Sequence, residues 1–189
     1  MSLENDLGVK EATDFWGGTV VDAKEMSNLK PTTKDVKMLI KDVQVFNTDK
    51  EGNAKDWKQI KVSFVLTDGL MIGDETKYKG SSMTESFVYF ANPQKYDMTK
   101  PFYSKGSFLV PIKQLVLATG VQAPSLVLGG ITDESINNFA CDLIDKSVLG
   151  TIMQVKVTAK DEISGKYEPT GELKNEIKNF KKLPDSAMV

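Results

Sequence analysis

Alternating hydrophobic residues predict a first β-strand that begins at Val36 and is broken in its middle. The apolar positions keep one parity as far as Ile40 and the opposite parity from Val43 onward. Side chains alternate between the two faces of a strand, so a change of parity requires an extra residue. The sequence therefore predicts a β-bulge or sharp bend at Lys41 and Asp42.

Two further strands are predicted before the middle of the chain. Turn-forming residues 47–53 separate the first strand from a second, and the two are predicted to form a hairpin. Four hydrophobic residues of the second strand share one face: Ile60, Val62, Phe64 and Leu66. A third strand over 84–90 has aromatic or apolar residues on both faces, with Phe87 and Tyr89 on one and Val88 and Phe90 on the other.

The hydrophobic period then becomes helical. A helix is predicted over 112–119, with Pro111 suited to its first turn and Gly120 to its end. A second helix is predicted to begin after Thr132, whose hydroxyl can cap it, and to carry an apolar stripe. The stripe consists of Ile136, Phe139, Ala140, Leu143 and Ile144.

Two closing strands complete the predicted order. Hydrophobic residues alternate with polar ones over 153–159, a turn is expected at Ser164 and Gly165, and the chain returns over 173–180. Three strands, inserted helices and a closing hairpin match the order of a five-stranded OB barrel, with the helices between strands 3 and 4. An open antiparallel α+β sheet is the alternative. The expected organisation is an N-terminal arm over 1–35, an OB-fold-like domain over 36–182 and a C-terminal tail over 183–189.

Composition argues against an enzyme. The chain has 189 residues, no histidine and one cysteine, so the usual general base, a disulfide and the usual zinc ligands are missing. Carboxylate pairs lie at turns or at a helix start, where solvated or capping acids are expected. We therefore predict no catalytic residue, no metal site and no cofactor, and we expect Cys141 in the core. No apolar run approaches the roughly 20 residues that span a bilayer, and the first ten residues lack the character of a signal peptide, so a cytoplasmic location without membrane contact is predicted.

The segment from Tyr78 to Phe108 holds half of the sixteen aromatic residues, interleaved with lysine, serine and glycine. Rings beside lysines suit the stacking of bases and the neutralisation of phosphates. The surrounding residues 36–113 contain 12 lysines against 9 acids, a local balance of +3 in a chain of net charge −2. All 24 basic residues are lysines, which disfavours base readout in duplex DNA by bidentate arginine.

Four residues are assigned to the interior: Phe64, Val88, Phe90 and Phe108. The predicted nucleic-acid-binding residues are Trp57, Lys58, Lys61, Lys77, Tyr78, Lys79, Phe87, Tyr89, Lys95, Tyr96, Lys100, Phe102, Tyr103 and Lys105. A protein-interaction or assembly module that uses the exposed aromatic residues is the competing interpretation.

Several segments carry a resemblance to a known family: WKQIKVSFVLTDG (57–69), YKG (78–80), ESFVYFANPQKYD (85–97), LVPIKQLVLATGV (109–121) and EIKNF (176–180). Their order resembles that of phage-encoded single-stranded DNA-binding proteins. The resemblance implies an OB fold that coats single-stranded DNA during phage replication or recombination in the host cytoplasm. It leaves RNA binding, homo-oligomerisation and contacts with replication or recombination proteins open. Many such proteins end in an acidic tail, whereas the last residues of this chain include only Asp185 as an acid.

Overall fold

The computed structural model describes residues 29–97, 99–122, 132–161 and 165–184. Most of the predicted N-terminal arm and C-terminal tail, at 1–28 and 185–189, lies outside these residues. The elements within them are β1 (Thr33–Thr48), β2 (Ala54–Leu66), β3 (Leu70–Ile72), β4 (Glu75–Lys77), β5 (Ser82–Ala91), α1 (Pro101–Ser104), a 3-10 turn (Ser107–Leu109), α2 (Val110–Thr119), α3 (Asp133–Leu143), β6 (Ser147–Lys160) and β7 (Tyr167–Lys181).

Five strands form one antiparallel sheet in the order β5-β2-β1-β6-β7. The protein is thus mainly β, with helices inserted between β5 and β6, as the sequence predicts. The short hairpin β3–β4, which turns at Gly73, forms a separate sheet that the sequence pattern did not reveal.

The sheet is not closed into a barrel, because β5 and β7 are both edge strands. Side chains bridge these edges instead. The backbone N–H of Ile177 donates to Oε1 of Glu85, and the ring of Phe180 lies 5.6 Å from that of Phe87. Phe180 also stacks on Phe64 at 5.5 Å, so the inner faces of β2, β5 and β7 share one core. Among the described strands, the hydrogen-bonded sheet matches the open alternative, and the predicted closure by backbone pairing is absent.

The bulge predicted in the first strand is confirmed. Ile40 pairs with Phe64 and Asp42 pairs with Ser63, so Lys41 is the extra residue. Before the bulge Met38 and Ile40 are fully buried. After it Val43 and Val45 take over the inner face, since they pair with buried residues of β2.

The faces of the predicted third strand were assigned the wrong way round. Phe87 and Tyr89 are each only 3% exposed, whereas Val88 and Phe90 are half-buried. Phe87 pairs with the fully buried Ile60, and paired residues point to the same face of a sheet. The core therefore takes Phe87 and Tyr89 and leaves Val88 and Phe90 at its margin.

Both longer helices begin as the sequence predicts, and α2 also ends as predicted. Ile144, assigned to the apolar stripe of the second helix, instead follows the last residue of α3 and is 38% exposed. α2 has Pro111 in its first turn and ends at Gly120, which adopts the left-handed conformation (φ 69°). α3 begins with a capping box, in which the Thr132 hydroxyl accepts from the N–H of Ser135. The buried stripe of α3 ends at Leu143, and Cys141 is exposed on the opposite side, so its predicted place in the core is wrong.

The chain divides into two compact units, Met1–Pro31 with Gln154–Asn175, and Thr32–Met153 with Glu176–Val189. In the first unit, the Asn175 side chain accepts from the N–H of Lys30 and donates to its carbonyl. The second unit contains the hydrophobic core, to which α2, α3 and all five strands of the main sheet contribute. In the part of the chain that the structure describes, no helix is long and apolar enough to cross a membrane.

Candidate nucleic-acid interface

Five aromatic side chains meet beside the first residues of β2. We call them the aromatic cluster: Trp57, Tyr96, Phe102, Tyr103 and Phe108. Tyr96 stacks on Tyr103 with 5.2 Å between ring centroids and 26° between planes. The Trp57 ring lies 5.4 Å from Tyr96 and 5.9 Å from Phe108, and Phe102 meets Tyr103 edge-on at 5.1 Å.

Hydrogen bonds fix the loop that carries the cluster. The Asn92 side chain donates to Oδ1 of Asp56 at 2.6 Å, and the Asn92 N–H donates to the Asp56 carbonyl. Asp97 accepts from both the N–H and the hydroxyl of Thr99, and these bonds hold the pKa of the Asp97 carboxyl below its ordinary value. These bonds hold the two ends of the segment that precedes α1 and carries Tyr96.

Exposure within the cluster is graded. Phe108 is 5% exposed and anchors the cluster to the core, Trp57, Tyr96 and Tyr103 are half-buried, and Phe102 is 48% exposed. A large apolar ring that remains half exposed to water contributes little to the stability of the fold. It offers a flat surface on which another ring can stack.

Exposed lysines border the cluster. Lys95, Lys100 and Lys105 lie on the same loop as its aromatic residues, and Lys61 is exposed on the outer face of β2. Lys58 differs, since its amino group lies 3.1 Å from Asp133 and its side chain is only 17% exposed. Its nitrogen also lies 5.3 Å from the Phe90 ring, so Lys58 ties β2 to the start of α3 and is poorly placed for phosphate.

Three predicted residues, Lys77, Tyr78 and Lys79, lie at the opposite end of β2. We call residues 77–80 the lysine turn; its Gly80 N–H donates to the carbonyl of Leu66, the last residue of β2. Leu66 is nine positions from Trp57 along β2, which is roughly 30 Å of strand. The amino group of Lys77 is 3.1 Å from Glu75, and Tyr78 packs against the core in a left-handed conformation (φ 61°). Lys79 is exposed.

Phe87 and Tyr89, predicted to bind bases, are unavailable for stacking because both are buried. The Tyr89 hydroxyl is itself buried and has no hydrogen-bond partner among the described residues. Loss of solvent, reinforced by the negative charge of Asp133, raises the pKa of this phenol well above its ordinary value. Tyr89 is therefore a neutral core residue.

The sequence prediction missed Phe46 and Lys55 on the outer face of β1 and β2. Phe46 pairs with Gln59, the neighbour of fully buried Ile60, so its ring points away from the core. The Lys55 amino group lies 5.5 Å from the Phe46 ring centroid. The sequence could have indicated the outward position of Phe46, because the predicted bulge turns Val45 inward and therefore places the next residue on the outer face.

The described residues contain no group of three or more histidine, cysteine, aspartate or glutamate side chains able to hold a metal ion. Comparison with protein-family models and with curated proteins finds no match for this sequence.

Proposed function

We propose that this protein binds single-stranded DNA with little sequence preference, by stacking bases on the aromatic cluster and pairing phosphates with nearby lysines. The observation that carries the proposal is the cluster itself. It brings five rings together, presents Phe102 half exposed, and is bordered by Lys95, Lys100 and Lys105.

The fold supports this proposal. The sheet order β5-β2-β1-β6-β7, with α3 between the third and fourth of these strands along the chain, is the order of an OB fold. The bulge at Lys41 lets β1 pair with β2 along its length and with β6 at its start. We propose that the domain is of the OB type. Side-chain contacts between β5 and β7 take the place of the backbone hydrogen bonds that would close the barrel.

The available chemistry limits the kind of recognition. Stacking tolerates any base, and each stacked base contributes on the order of 1 to 3 kcal/mol. Lysine neutralises phosphate as a point charge, whereas the bidentate fork that reads guanine belongs to arginine, which this chain lacks. A role in coating single strands during phage replication or recombination fits this chemistry and the resemblance in the sequence.

Tryptophan fluorescence tests the proposal directly. Trp57 lies in the cluster, and the chain has one other tryptophan, Trp16, so Trp16→Phe leaves a single reporter. We expect an oligothymidylate to quench this reporter, and log affinity to fall with log salt by about 0.7 per phosphate contact. Oligouridylate and a duplex of equal length serve as comparisons. Failure to bind at low salt, or equal affinity for the duplex, would contradict the proposal.

Protein interaction is the second candidate. Val110 and Leu117, seven residues apart on α2, are 48% and 77% exposed and lie on one helix face. Such residues suit a protein partner better than a phosphate backbone. An interface of this kind would be disrupted by Leu117→Asp and would lack the phosphate-dependent salt slope, which separates the two functions.

A further inference from the structure

Within the described residues, the outer face of β2 carries no aromatic residue beyond Gln59. Along β2 the outer positions beyond Gln59 are Lys61, Ser63 and Val65. Their partners on β5 are Ser86, Thr84 and Ser82, and on β1 they include Gln44 and Asp42. A single strand that followed β2 toward the lysine turn would therefore meet no ring on this face and would pass a carboxylate.

Phe46 provides a ring on the outer face of the neighbouring strand β1, where it pairs with Gln59. It is half-buried, belongs to the row Phe46–Gln59–Val88 that crosses β1, β2 and β5, and lies at the same end of the sheet as the aromatic cluster. Neighbouring strands are about 4.8 Å apart, so this row spans roughly 10 Å. Trp57 is only two residues from Gln59 along β2. One short crossing of the sheet thus connects the cluster with Phe46.

Lys55 makes this position suitable for a nucleotide. Its amino group lies over the Phe46 ring at 5.5 Å, a loose contact, and within the described residues it has no carboxylate at ion-pair distance. An exposed cation–π contact is weaker than the stacking of a base on an aromatic ring. A base can therefore displace the amino group from the ring, and the lysine can then pair with the adjoining phosphate.

We propose that Phe46 and Lys55 form a second base-stacking position, so that single-stranded DNA crosses β5, β2 and β1 at this end of the sheet instead of running along β2. This inference rests on the proposed function and adds the path that the single-stranded DNA takes across the sheet. Gln59 lies between Phe46 and Trp57, and its side-chain amide can donate to or accept from a base edge.

The test measures binding of a fluorescently labelled oligothymidylate of about twelve nucleotides, within the range of sites on single OB folds. The variants are Phe46→Ala and Lys55→Gln. Leu117→Ala is the matched control, because it removes an exposed apolar side chain from α2. We expect Phe46→Ala to weaken binding at least about five-fold, Lys55→Gln to reduce the salt slope by about 0.7, and the control to match the parent.

The outcomes separate the two proposals. No binding by the parent protein would overturn the proposed function. Binding by the parent, loss in Phe102→Ala and affinity within two-fold of the parent for Phe46→Ala would overturn only the path. A second measurement needs no substitution, because photo-crosslinking of an iodouracil oligonucleotide followed by peptide mapping should label the peptide that contains Phe46. Labelling of the lysine turn without Phe46 would contradict the inference.

Discussion

The two ends of the β2–β5 pair look alike in sequence and differ in structure. Each has a tyrosine next to lysine, since Tyr78 lies between Lys77 and Lys79 and Tyr96 directly follows Lys95. At the lysine turn, Tyr78 packs against the core and Lys77 is paired with Glu75. At the other end, Tyr96 joins four further rings within a set of exposed lysines. A local pattern of aromatic and basic residues thus predicts a binding surface only where tertiary contacts bring several rings together.

The largest effect expected at the aromatic end concerns stability. Tyr89 lies on β5 at this end but inside the core, at 3% exposure. Truncation of a buried aromatic residue costs about 3 to 5 kcal/mol, so Tyr89→Ala should lower the free energy of unfolding by that amount, measured by urea denaturation. Tyr89→Phe is the control. It removes a hydroxyl that lacks a partner among the described residues and should leave stability unchanged or raised. Equal free energies of unfolding for Tyr89→Ala and the parent would mean that Tyr89 lies at the surface and not in the core.

A binding measurement compares the two ends directly. Phe102 in the aromatic cluster is 48% exposed, and Met71 on β3, beside the lysine turn, is 67% exposed. Phe102→Ala should weaken oligothymidylate binding by about five- to a hundred-fold with little change in melting temperature, because it removes a stacking surface. Met71→Ala should bind like the parent. If both variants lose affinity to the same degree, the two ends are equivalent and the comparison fails.

The strand pattern was largely predictable from the sequence. The bulge at Lys41, the inner face of β2 and the cap at Thr132 each follow from a local signal that no other part of the chain opposes. Which face of β5 is buried was not predictable in the same way. Its residues are apolar or aromatic on both faces, so no polar side marks the surface, and only the pairing of Phe87 with Ile60 decides which face is buried.

The candidate site was predictable in part. The aromatic residues between 96 and 103 were identified from their neighbours, but their assembly around Trp57 and Phe108 depends on contacts between distant segments. The role of Lys58 was missed for the same reason, since its partner Asp133 belongs to another element. The outward position of Phe46 follows only when the alternation after the predicted bulge is extended one residue beyond Val45.

Charge removal provides a finer comparison of the ends. The double variant Lys95→Gln with Lys105→Gln should reduce the salt slope of binding by up to about 1.4, at about 0.7 for each lost phosphate contact. The double variant Lys77→Gln with Lys79→Gln removes the same charge from the lysine turn. We expect it to leave the slope nearly unchanged, because Lys77 is already paired with Glu75. Equal slopes for the two variants would show that phosphate contacts extend to the lysine turn.

The smallest expected effect is that of pH. The chain has no histidine, and hydrogen bonds hold the pKa of Asp49 near Phe46 and of Asp97 in the cluster loop below the ordinary 3.8. A folded-state pKa below the unfolded value contributes stability that is present above the unfolded pKa and is lost as pH falls through the folded one. Both turns should therefore stay ordered, and oligothymidylate affinity should stay constant within two-fold, between pH 5 and 8 at fixed salt. Asp97→Asn should keep this profile, since an amide oxygen can still accept from Thr99. A transition within that range would mean that a titrating group at the aromatic end takes part in binding.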